Sequence, residues 1–124
     1  MTIEEKTYSV LSTTAGVTSL CPAARIKPPA DNQNLARPYI VHQPIAADPE
    51  RISGGRAALH RWVYQVSCFA DSYSAARALS QAVATALDGT QGEATYFWRD
   101  QDYQYESDVR IHHIALGFEV FEAL

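Results

Sequence analysis

The side chains of this sequence that could do chemistry are few and scattered. His112-His113 is the most suggestive pair, but neighbours on a strand point to opposite faces, so the two rings cannot serve one metal ion. His42 and His60 approach each other only if their strands pair, and no third ligand accompanies them. Cys21 and Cys68 lie far apart in neither metal nor redox spacing and read as reduced thiols, with Cys68 on the apolar side of its segment as an inert buried group. Ser53-Gly54-Gly55 lacks the G-x-S-x-G elbow, and no dinucleotide or P-loop string occurs. Asp100, Asp102, Glu106 and Asp108 gather at a turn without the ligand spacing and bend glycine of a calcium loop, so they read as a solvated acidic turn. The expectation is no catalytic residue, no metal site and no cofactor.

The elements that would have to position a site can be read from the periodicity. The chain has 124 residues, 47% of them hydrophobic and 19% charged, which is the composition of one globular domain spanning 1–124. Thr2 with Glu5 forms a capping box for a helix over residues 3–14, and Gly16 is the expected C-cap. Prolines and polar residues from 22 to 38 read as loop, with a short strand at 24–27. Residues 38–44 form a strand bounded by prolines, so it belongs near a sheet edge. Residues 45–56 then read as a long β-β connection.

Residues 57–70 alternate as a strand, with Trp62, Tyr64, Val66 and Cys68 on one side and Arg61, Gln65 and Ser67 on the other. Asp71 or Ser72 caps a second helix whose apolar face is Ala76, Leu79, Val83, Ala86 and Leu87. Strands at 94–103 and 109–122 follow, joined by Tyr105-Glu106-Ser107-Asp108. The predicted fold is α+β in the order α-β-β-α-β-β, two helices on one face of a mostly antiparallel four-stranded sheet. Leu79, Val83, Leu87, Tyr64, Val66, Leu116 and Phe118 are expected to share its core.

Charge and hydropathy narrow the function classes. The net charge is −4, and the cations are single and dispersed, so no basic stripe for duplex recognition exists. No apolar run approaches the roughly 20 residues of a membrane span. The acidic opening Met1-Thr2-Ile3-Glu4-Glu5-Lys6 is unlike a signal peptide, which places synthesis and assembly in the cytoplasm. The consecutive rings Tyr96-Phe97-Trp98, with Tyr103, exceed what one side of a strand can bury and suggest a subunit interface. Ile45, Asp48, Glu50, Arg51, Ile52 and Arg56 of the 45–56 connection are the other interface candidates, apolar anchors among charges of both signs.

The layout from end to end resembles a known family. The first helix leads into Ala15-Gly16-Val17-Thr18-Ser19-Leu20, and Arg37-Pro38-Tyr39-Ile40-Val41 opens a strand. Tyr64-Gln65-Val66-Ser67-Cys68-Phe69-Ala70, then Ser72-Tyr73-Ser74-Ala75-Ala76-Arg77-Ala78-Leu79, then Ala86-Leu87-Asp88-Gly89 follow in order. Tyr105-Glu106 precedes a last strand ending Leu116-Gly117-Phe118-Glu119-Val120-Phe121. In this order and spacing the chain resembles the tail-completion proteins of long-tailed phages, also described as tail terminators or head–tail joining proteins. The resemblance implies a non-enzymatic virion protein in a hexameric ring at the head-proximal end of the tail. Its implied partners are copies of itself, the tail-tube protein and the head–tail connector, or stopper, protein. DNA would pass through the lumen without sequence-specific binding, and no membrane is involved. Two other classes fit the residues: a small dimeric α+β ligand-binding domain or enzyme centred on His42 and His60, and a ring adaptor of a phage-derived injection machine.

Overall fold

Residues 2–29, 36–51, 57–92 and 94–123 are described by the computed structural model. The first helix, α1 (Ile3–Thr13), starts at Thr2, whose side chain accepts the Glu5 amide while Glu5 reaches back to the Thr2 amide. It stops at Thr14, which is extended, and a four-residue helix α2 (Ala15–Thr18) follows at once. Gly16 therefore lies inside α2 and does not cap α1. After a short 3-10 turn, Ala23–Arg25, come β1 (Ile26–Lys27), β2 (Tyr39–Arg51) and β3 (Ala57–Ala70). Ser72 accepts the Ala75 amide to start α3 (Tyr73–Leu87), and β4 (Gly89–Gln91), β5 (Ala94–Glu106) and β6 (Ile111–Ala123) complete the order.

The sheet differs from the expected four antiparallel strands under two helices. Among the described residues it is mixed and six-stranded, in the order β1-β2-β3-β6-β5-β4, and three α-helices accompany it. The two extra strands sit at its edges: β1 runs parallel to β2 at Ile40 and Val41, and β4 pairs with β5 from Ala94 to Tyr96. β1 is the short strand expected at 24–27 but not counted among the four, and β4 is too short to show alternation, the signal by which strands are read. Gly89 helps β4 to start directly behind α3, because its φ of 110° is open to glycine at no steric cost.

The larger correction concerns residues 45–56. Residues 45–51 are not a connection but the second half of β2, in register with β3 down to Arg51 opposite Ala57. Ala46, Ala47, Asp48 and Pro49 have little strand propensity of their own, so pairing with β3 supplies the extended conformation. A bulge between Pro44 and Ala46 absorbs Ile45. Prolines are tolerated here because β1 covers β2 only as far as Val41, leaving β2 an edge strand beyond it. Residues 52–56 lie outside the described residues.

One side of the sheet carries the core. Ile40 and His42 of β2, Tyr64, Val66, Cys68 and Ala70 of β3, Ile114, Leu116, Phe118 and Val120 of β6, and Ala94 and Tyr96 of β5 are all buried there. They meet Ile3 and Leu11 of α1, Val17 of α2 and the face Ala76, Leu79, Val83, Ala84 and Leu87 of α3. The small residues at 76 and 84 let α3 approach β3 and β6 closely.

Candidate assembly surface

The opposite side of the sheet has no helix on it among the described residues, and the register says which side chains it presents. Val63 pairs with Glu119, and Glu119 with Phe97, so these three share a side that Tyr64 and Phe118 do not. Leu59, Arg61 and Phe121 follow by alternation. Ile45, pushed out at the bulge, is 55% exposed and lines a shallow trough of about 490 Å³ with Val63, Gln65 and Gly117. Phe97 stands edge-on to Phe121 at 5.9 Å, and the Arg99 guanidinium sits 5.4 Å from the Phe97 ring centre.

A chain of charges crosses this face from strand to strand. Asp48 of β2 accepts from Arg61 of β3 at 2.8 Å, Arg61 donates to Glu119 of β6 at 3.2 Å, and Glu119 accepts from Arg99 of β5 at 3.1 Å. At the far end Tyr39, Phe69 and His113 stack at 4.6 and 4.3 Å. The floor between is unusually bare: Ala115 and Gly117 lie under Asp102 and Asp100. A Cβ on Gly117 would stand 2.2 Å from Asp100 Oδ1, so the carboxylate occupies space that only glycine leaves. The bulge between Trp98 and Asp100 is what sets Asp100 over Gly117.

The interface candidates read from the sequence divide into several groups. Ile45, Asp48 and Phe97 come together on the uncovered face. Trp98 points to the other side, beside Ala84 and Thr85 of α3 and its C-cap Asp88, where its indole donates to the Asp100 carbonyl at 2.9 Å. Tyr103 is on that side too, edge-on to Tyr73 at 4.9 Å and hydrogen-bonded to His112 Nδ1 at 2.7 Å. Tyr96 is fully buried, its hydroxyl on Thr7 Oγ1 at 2.9 Å, and so belongs to the core rather than to a contact surface. Glu50 and Arg51 end β2 opposite Leu59 and Ala57, while Ile52 and Arg56 lie outside the described residues. Leu59, Val63 and Glu119 were not among the candidates. The alternation of β3 held the signal, since whatever flanks Tyr64 must face away from it.

The histidines do not assemble. His42 is opposite Val66 and His60 opposite Pro49, several residues apart along paired strands, and His112 and His113 face opposite sides. Among the described residues no group of three or more His, Cys, Asp or Glu comes together to hold a metal ion. His42 is buried, with Nδ1 bonded to the Tyr64 hydroxyl at 2.7 Å and Nε2 without a partner. Burial alone lowers its pKa to about 4, so it is neutral at physiological pH. Burial likewise pushes the Cys21 thiol up to about 11 and the Cys68 thiol higher still, leaving both unreactive.

A surface that sets paired charges among exposed apolar side chains suits contact between proteins. Comparison with known families agrees: the model for tail completion protein gp17 matches residues 5–123. The chain belongs to that family. This tail completion protein is therefore a structural component of a phage-type virion, in the tail and neck region. A solved chain from the structure described as "Virion of native gene transfer agent (GTA) particle" shares its fold. The two are 18% identical with a TM-score of 0.81, over 98% of this chain and 95% of that one. No curated protein matches.

Proposed function

We propose that this tail completion protein assembles into a ring, of six subunits, that caps the head-proximal end of the tail. The observation that carries the reading is the uncovered sheet face, where Ile45, Leu59, Val63 and Phe97 are each more than a third exposed around the Asp48–Arg61–Glu119–Arg99 chain. Exposed apolar side chains set among paired charges suit a contact made in assembly. An interface that joins one patch to a different patch on the next copy closes into a ring when the rotation per subunit divides a full turn. A ring that offers tube-like contacts on one side only would bind the growing tube end, stop its growth and leave the other side for the head connector. The net charge of −4 keeps a lumen from holding DNA by its phosphates. The protein has no catalytic role in this reading.

The test is Val63→Asp, which places a charge in the middle of the face without touching the core. Native mass spectrometry should show rings for the wild-type chain and monomers for the variant, with both folded. In the phage, the variant should give tails of uncontrolled length or tails unjoined to heads. Normal tails from Val63→Asp would sink the assignment of this face.

A further inference from the structure

The two long edges of the sheet are finished differently. Beyond Val41, β2 is an edge, and Pro44 and Pro49 lie along it. Amide direction alternates along a strand, and the bulge at Ile45 resets the count, so both prolines fall at positions whose amides would point outward. That edge lacks donors and resists a new strand. The other edge is β5 beyond Tyr96, where β4 stops. Residues 97–106 are all exposed and contain no proline. The Trp98 amide turns outward and is taken by Asp88 Oδ1 at 3.1 Å, a side chain continuing where β4 ends. Counting on through the bulge at Arg99, the outward amides are those of Gln101, Tyr103 and Tyr105, and among the described residues no strand covers them.

We infer that the edge of β5 from Gln101 to Tyr105 receives an extended, basic segment of a different polypeptide as an added strand. The charge on this edge selects the partner. Asp100, Asp102 and Glu106 project onto the uncovered face, opposite Gly117, Ala115 and Ile111, while among the described residues the ion pairs of that face join Asp48, Arg61, Glu119 and Arg99. An added strand sets every second side chain on that face beside these carboxylates, where lysine or arginine is favoured and acid is not. The same rule excludes a second copy of β5. Antiparallel self-pairing centred on Gln101, Asp102, Tyr103 or Gln104 sets one carboxylate opposite another in every case. The edge of β2, short of donors, is no better a mate. The inference does not depend on ring formation, since it concerns an edge of the isolated chain.

The test uses the wild-type chain with short synthetic peptides and fluorescence anisotropy at low salt. A peptide alternating lysine with valine should bind, and one alternating glutamate with valine should bind at least about tenfold more weakly. N-methylation of alternate amides of the lysine peptide should abolish binding in one phase and spare it in the other, since only half of the amides face β5. Gln101→Pro, which removes an outward donor and no internal ladder bond, should weaken binding about tenfold while the melting temperature holds; Gln101→Ala should not. Equal binding of the two peptides, equal loss in both methylation phases, or self-association of the chain that Gln101→Pro dissolves would each overturn the proposal.

Discussion

The two faces of the sheet are made from the same four long strands, yet they obey different rules. On the helix side Tyr64, Val66, Leu116, Phe118 and Val120 are sealed off, and every buried hydroxyl finds a partner there: Tyr96 on Thr7, Thr7 on the Ile3 carbonyl, Tyr64 on His42. On the other side apolar residues alternate with a relay of exposed charges, and the floor is stripped to Ala115 and Gly117. The covered face holds the molecule together, and the uncovered face is the one that the proposed ring would use.

The sharpest test of that contrast is truncation on each side. Phe118→Ala or Leu79→Ala removes a large fully buried side chain between α3 and the sheet, and should cost about 2–5 kcal/mol. Phe97→Ala, at a side chain 42% exposed, should cost under about 1 kcal/mol. Urea unfolding of the three variants measures both. Equal losses would mean that the uncovered face is a second core.

Acid probes the one weak point of the covered side. His42 is held near a pKa of about 4 by burial, between Tyr64 of β3 below and Glu4, Glu5, Tyr8 and Lys27 of α1 and β1 around its cleft. An unfolded histidine titrates near 6.5, so the unfolded chain takes up the proton first. Stability is therefore complete above about pH 6.5 and lost as the pH falls through the range down to about 4, by up to about 3 kcal/mol. His42→Asn, which keeps an acceptor for the Tyr64 hydroxyl but cannot be protonated, should flatten this stretch of the profile. An unchanged acid limb in His42→Asn would show that carboxylates such as Glu122, which burial raises but hydrogen bonds from Lys6 and Trp62 bring below the usual range, dominate instead.

Sequence periodicity exposed the covered face and hid most of the other. Alternation in β3 and β6 and the apolar stripe of α3 named most of the core, because burial enforces a regular pattern. The string Tyr96-Phe97-Trp98 could not say which ring was surplus: Tyr96 is core, Phe97 faces the open side, and Trp98 folds over the end of α3. Residues 45–51 were illegible for a different reason. Their extended form is imposed by β3 across the sheet, and prolines that break an inner strand are harmless on its edge. The strand β4, three residues long, carries no alternation to read.

A smaller effect separates crowding from core packing. Gly117→Ala would drive a methyl group into the Asp100 carboxylate, but Asp100 is exposed and can swing outward, so the cost should stay within about 1 kcal/mol. The double variant with Asp100→Ala should recover most of it, which a melting series would show. A larger loss that Asp100→Ala fails to relieve would place the strain in the β5 bulge rather than in the side chain.

The smallest expected effect on the fold is at Glu119. It accepts from Arg61 and Arg99 at once and so joins the strands of the uncovered face electrostatically. Glu119→Gln keeps the shape and one acceptor but removes the charge between two guanidinium groups. Surface ion pairs in water stabilise a fold little, because solvation and side-chain entropy offset the attraction, so the melting temperature should not move measurably. Association is different: once a neighbouring subunit excludes water from this face, two cations lose their shared anion in a less polar setting, and the contact weakens. Ring formation by Glu119→Gln should therefore require more protein than wild type, and its dependence on salt should change. A variant that melts early but assembles normally would reverse the roles given to the two faces, making the charge relay part of the fold and not of the contact.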